Sequence, residues 1–235
     1  MLVFLIYFER GLACLKGSKV KSKKRVSDHG EVFTGEREVN AMLDLVKAET
    51  ERIDSRFLEP ACGDGNFLAE ILRRKLTVVR KRYSKSPSEY GKYAVIAVSS
   101  IYGVELLEDN VDECRKRLFD IFESEYSCCC GKETDEECRM AVRFILSRNI
   151  LCGDALTLLD AKKEPIIFSE WAMVKDNMIK RRDFELSGLM ESSDRQSRIT
   201  AVNRVYDPEI KAFLPPPIRE YPLTDYRRVQ YADNQ

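Results

Sequence analysis

The sequence predicts an α/β fold, a doubly wound parallel sheet in which only four strands are recognisable. Three observations point there. Segments of helical and strand-like apolar spacing alternate, one strand ends in the sharp two-glycine turn of "FLEPACGDGNFL", and acids stand at the ends of three successive strands.

Taken in order, residues 1–25 read as an amino-terminal extension. Its "MLVFLIYF" is apolar for eight residues, far short of the roughly 20 that cross a bilayer. The basic run "KGSKVKSKKR" follows that stretch, whereas a signal peptide carries its charge before it. The main domain spans residues 26–185. In "EVNAMLDLVKAE", Val39, Met42, Leu43 and Val46 recur at helical spacing. "RFLEPA" reads as a buried strand, and "NFLAEILRRKL" restarts at once as a helix with Phe67, Leu68, Ile71, Leu72 and Leu76 on one face. Arg73, Arg74 and Lys75 fall largely off that face. The stretch "RKRYSKSPSEYGK" reads as a polar insertion before the second strand, "IYGVEL". Asp109 or Asn110 then caps a helix with the stripe Val111, Cys114, Leu118 and Phe122. "CRMAVRFIL" suits a helix, "NILCGDAL" a third strand and "PIIFSEW" a fourth, parallel to the others. Residues 186–235 read as weakly structured, with an extended "LPPPI".

Composition narrows the function. Lys plus Arg and Asp plus Glu number 39 each, so no whole-protein field draws nucleic acid or anionic membrane. Local groups remain for phosphate contact: "RRK" at 73–75, "RKR" at 80–82 and "KRR" at 180–182. The eight cysteines form no secreted disulfide framework, which fits a reducing cytoplasm. Cys128, Cys129, Cys130 and Cys138 supply four thiolates, but without a paired C-x-x-C knuckle a solvated loop with incidental thiols is the better reading. His29 is the single histidine, which argues against a Ser-His-Asp triad or a histidine metal site.

The glycine turn carries the chemistry. In an open parallel sheet, ligands sit beyond the carboxyl ends of the strands. Gly63 and Gly65 let backbone approach a ligand, and the free amides of a helix start favour a carboxylate or phosphate. A dinucleotide fingerprint would place a third glycine where Leu68 stands. Glu59 suits a ligand bearing a positive amine, and the amino-acid half of S-adenosylmethionine has both an ammonium and a carboxylate. Glu105 can accept both hydroxyls of a ribose, and Asp154 can accept from the exocyclic amine of an adenine.

"EPACGDGNFL", "YGVELLEDNV" and "CGDAL", preceded by "DHGEVFT", resemble the cofactor-binding motifs of bacterial adenine-specific DNA methyltransferases, including the modification subunits of restriction systems. The resemblance covers residues 26–171, roughly 60% of the chain. It implies a Rossmann-like methyltransferase fold, bound S-adenosylmethionine and methyl transfer to the amine of adenine in DNA. It puts Ala61, Cys62, Leu106 and Ala155 beside the cofactor with the acids and glycines, and Phe33 and Thr34 over its methionine end.

The chain departs from the family in the motif after the fourth strand. An Asn/Asp/Ser-Pro-Pro-aromatic sequence is expected there, and this chain has "FSEW". In that register Ser169 and Glu170 accept from the target amine and Trp171 stacks on the flipped base, or Trp171 is packing and the site has no chemistry. The chain also has little room for a target-recognition domain, so a specificity subunit or a homo-oligomer is the expected partner besides DNA. The alternatives are a non-catalytic cofactor- or DNA-binding subunit, and a methyltransferase acting on protein or a small molecule.

Overall fold

The computed structural model describes residues 3–5, 34–193, 205–207 and 212–234. Its centre is a sheet of strands in the order β1 (Val3–Leu5), β2 (Arg56–Glu59), β3 (Ile101–Glu105), β4 (Ile150–Asp154) and β5 (Leu159–Asp160). The first four run parallel and β5 returns antiparallel against β4. An α/β fold with a largely parallel sheet is therefore present. The amino-terminal extension contributes β1, which pairs with Arg56, Phe57 and Leu58 on the outer edge of β2.

Period-2 alternation sends the two sides of each strand to different cores. Phe57, Ile101 and Ile150 enter a large cluster. Leu58, Tyr102 and Val104 enter a smaller one with Ile166, Phe168 and Leu186. The large cluster is built by α1 (Glu36–Asp44), α3 (Asn66–Tyr83), α4 (Pro87–Ser99), α5 (Glu108–Cys130) and α6 (Glu136–Asn149), with the short α2 (Lys47–Thr50) between α1 and β2. Strands β2, β3 and β4 lie side by side in sequence order, so right-handed crossovers put their connecting helices on one face. On the other face lie Ile166 and Phe168 with Leu186, which opens α7 (Leu186–Ser193), while Trp171 and Ile179 of the hairpin that follows β5 join the large cluster.

That hairpin corrects the fourth strand. "IFSEW" does not extend the parallel sheet. It opens β6 (Ile167–Lys175), which pairs antiparallel with β7 (Met178–Glu185) from Ile167↔Glu185 onward. β10 (Arg219–Glu220) and β11 (Thr224–Asp225) add to β7, while β8 (Val205–Asp207) and β9 (Ala212–Leu214) pair with each other. Residues 226–234 form a 3-10 helix against α6, with Tyr226, Val229 and Ala232 buried. Part of the carboxyl-terminal segment expected to be weakly structured is thus core.

Three local readings also change. α3 runs on to Tyr83, and the "polar insertion" starts α4, with Ser86 Oγ accepting from Glu89 N and Pro87 in the first turn. Neither Asp109 nor Asn110 caps α5, which begins after Leu107. Cys128–Cys130 end α5 rather than forming a solvated loop, with Cys130 and Cys138 buried. Among the described residues no group of acids, thiols and imidazoles is placed to hold a metal ion, and no helix is long and apolar enough to cross a membrane.

Candidate functional site

β2, β3 and β4 end at Glu59, Glu105 and Asp154, and parallel pairing sets these ends on one edge of the sheet. Beyond β2 the chain turns through Gly63 (φ +53°) and Gly65 (φ +87°), the left-handed conformations that glycine adopts without a Cβ penalty. Gly65 also leaves room for packing, since a Cβ there would lie 2.6 Å from Cys114 Sγ. Sequence reasoning assigned Gly65 to ligand approach, and the structure adds a neighbour that forbids a side chain.

Glu105 ties two turns together. Its Oε2 accepts from Gly63 N (2.9 Å), and its Oε1 from Leu107 N (3.1 Å) and Asn110 Nδ2 (3.4 Å). A carboxylate has about four lone-pair directions, so acceptor capacity remains. Asp154 Oδ1 accepts from Leu156 N (2.8 Å), bending the chain after β4. Between the ends of β3 and β4 lies a depression of about 380 Å³, walled by Leu106, Cys152, Gly153, Asp154, Thr157 and Leu159. Leu106 is exposed there, whereas Ala155 packs partly buried against the smaller core.

Glu59 differs from the other two acids. Its side chain is buried and Oε2 has no hydrogen-bond partner. Burial pushes its carboxyl up to about 8. Cys62, three residues on, is buried beside Gly103, and its thiol is held well above the usual range by the adjoining Cys114 thiol and by burial. Ala61 is exposed on the turn.

A clamp from α5 that sequence reasoning did not foresee holds the turn. Arg117 donates to Asp64 Oδ2 (2.7 Å) and Asn66 Oδ1 (2.6 Å), and Asn66 Nδ2 donates to the Thr34 carbonyl (3.4 Å). Thr34 is thereby brought to the glycine turn. Phe33 lies outside the described residues. The only trace in the sequence is an arginine one helical turn after Cys114, beside the apolar stripe.

The structure does not bring Ser169, Glu170 and Trp171 to this edge. Trp171 Nε1 donates to Asn149 Oδ1 (2.9 Å), and Asn149 Nδ2 donates to the carbonyls of Ser99 (3.1 Å) and Ile101 (3.0 Å). These atoms mark the amino ends of β3 and β4. At about 3.3 Å per residue, β3 separates them from Glu105 by about 13 Å. Glu170 is buried between Arg56 and Arg182, at 2.6 Å from each. Ser169 Oγ donates to Asp183 Oδ1 (2.7 Å). The expected catalytic trio is corrected to a structural one, because β6 runs back along the sheet before reaching it.

Members of each expected phosphate-binding group are tied up within the protein, whereas Lys81 and Arg82 stand exposed. Lys75 is fully buried, with Nζ donating to the carbonyls of Ile53 and Ser55 and to Ser100 Oγ. Arg74 pairs with Asp44 and Glu70, Arg80 with Glu125, and Arg181 is buried against Asp183 and Asp233. Comparison with protein-family models, with curated proteins and with solved structures finds no match to this chain.

Proposed function

We propose that the chain binds S-adenosylmethionine at the carboxyl edge of its parallel sheet and serves adenine-specific DNA methylation. One observation carries this reading: acids end three adjacent parallel strands around a left-handed glycine turn, and one of them, Glu59, is buried with an unpartnered oxygen. That orphaned oxygen fits a ligand bearing a positive amine.

Glu59 holds the ammonium, and the backbone at the start of α3 faces the carboxylate. Glu105, anchored by Gly63 N, Leu107 N and Asn110, offers its remaining lone pairs to the ribose hydroxyls. Asp154 accepts from the adenine amine, with Leu106 and Cys152 walling the depression beside it. The bound group supplies a methyl group activated by its sulfonium. Arg117 fixes Asp64 and Asn66 and so holds the turn in shape.

The chain as cofactor-binding subunit of a larger enzyme is a second reading, favoured by the placement of Ser169, Glu170 and Trp171 at the opposite end of the strands. In that reading a partner chain supplies the acceptor for the target amine and the DNA contacts.

Calorimetry tests the common part. The parent is expected to bind S-adenosylmethionine, and Glu105→Ala and Asp154→Ala each to weaken binding about tenfold or more. Unchanged affinity in both variants overturns the assignment. Labelled-methyl transfer to mixed-sequence DNA, alone and with host extract, then separates the two readings. Transfer by the chain alone supports the enzyme, and transfer only with extract supports the subunit.

A further inference from the structure

Glu59 is the least provided-for acid of the described chain. Arg56, on the same strand, pairs with Glu170, and Arg117, which clamps the same turn from α5, pairs with Asp64. Glu105, at the end of the neighbouring β3, draws its own donors from Gly63, Leu107 and Asn110. In the turn the nearby titratable group is the Cys62 thiol, which is buried against the Cys114 thiol of α5 and bears no charge. With Oε2 buried and given neither donor nor cation, the ionised form of this carboxyl is costly. A second acceptor on the same turn, Asp64 Oδ1, is also buried without a donor. Both deficits are of donors, and a cationic N–H group supplies donors and charge together.

We propose that Glu59 is a proton-coupled receptor for the cationic part of the ligand, a neutral carboxylic acid in the ligand-free protein that ionises as the cation docks and releases one proton to solvent. This rests on the reading of the site as one for S-adenosylmethionine. The step balances without any redox partner: the O–H bond of Glu59 breaks, its electron pair stays on the carboxylate, and the proton passes to buffer. The consequence is selectivity. A cationic ligand gains a buried ion pair, whereas an uncharged analogue of the same outline leaves the acid protonated and gains nothing from it. Burial alone drives the carboxyl up to about 8, which agrees with a neutral acid at neutral pH.

Titration calorimetry at pH 6.5, in two buffers with different heats of ionisation, counts the protons released. At that pH the acid is almost wholly protonated, so close to one proton per S-adenosylmethionine is expected. The ligand's own amine stays charged there and does not contribute. S-adenosylhomocysteine, which keeps the ammonium and lacks the sulfonium, and methylthioadenosine, which lacks both, separate the sources. Release with the first two ligands assigns the ammonium, release with S-adenosylmethionine alone assigns the sulfonium, and equal release with all three overturns the proposal. Glu59→Gln keeps the shape and cannot ionise, so it is expected to release no proton and to bind about tenfold more weakly or worse. Release from that variant equal to the parent's overturns the assignment to Glu59. If the variant does not fold, the buffer series on the parent decides by itself. Binding of S-adenosylmethionine without proton release overturns this inference alone, and no binding at all overturns the reading of the site as well.

Discussion

Replacing Gly65 by alanine tests whether the glycine turn serves the protein's own packing as well as a ligand. The residue sits at φ +87°, where an L side chain costs about 1–2 kcal/mol. Its new Cβ would lie 2.6 Å from Cys114 Sγ and 3.4 Å from Cys114 Cβ, against about 3.5–4.0 Å for a relaxed contact. Cys114 is fully buried on α5 and has nowhere to go, so relieving the overlap costs a further ~1–3 kcal/mol. The stiffer unfolded chain returns about 0.4–1 kcal/mol. The net expectation is a loss of about 1–5 kcal/mol without any ligand. Urea unfolding followed by circular dichroism measures it, with an unchanged m-value as the check on comparable states. Cys114→Ala removes the sulfur and leaves only the 3.4 Å contact, so the pair should recover about 1–3 kcal/mol relative to additivity. A Gly65→Ala protein within about 0.5 kcal/mol of the parent, or strict additivity in the cycle, refutes the packing argument.

Two further outcomes follow from the corrected positions. Glu170→Gln removes the carboxylate charge that Arg56, only 13% exposed, holds at 2.6 Å, so it should cost about 3–5 kcal/mol of stability in urea; an effect under 1 kcal/mol, with loss confined to methyl transfer, would restore the catalytic reading. Burial pulls the Lys75 ammonium down to about 7 from an ordinary 10.5. At this group the unfolded chain therefore binds more protons between those values, and the contribution of Lys75 to stability should rise with pH across that window by at most about 1.4 kcal/mol per pH unit. Buried thiols such as Cys130 and Cys138, pushed up by burial, act in the opposite sense over the same range, so the measurement is the difference in urea stability between the parent and Lys75→Met, which should grow from pH 8 to 9.5; a difference independent of pH contradicts the assignment.

The site was legible where its geometry is local. A two-glycine turn after an apolar strand, and an acid at each strand end, follow from conformational preference and period-2 alternation, which depend on neighbours along the chain. The stripes of α3 and α5 were legible for the same reason. α4 was legible but misread: Ser86-Pro87-Ser88-Glu89 carries an N-cap serine that accepts from Glu89 N and a proline in the first turn, hidden by polar surroundings. Lys75 was placed off the apolar face by charge alone, although its position after Ile71 and Leu72 put it within a helical turn of both.

By itself the sequence determined the alternation of helix and strand, the turn and the identity of the acids at the strand ends. Only the tertiary structure decided where the strand after β4 goes. An apolar strand carries the same pattern whether it pairs parallel or antiparallel, and its direction is set by what the chain does next. Here the turn between Lys175 and Met178 folds β6 onto β7, which takes Trp171 to Asn149 at the amino ends of the sheet and Glu170 between two arginines. Partnership is likewise a property of the assembled chain. Glu105 finds its donors, Glu59 finds none, and that difference arises from contacts between residues far apart in sequence.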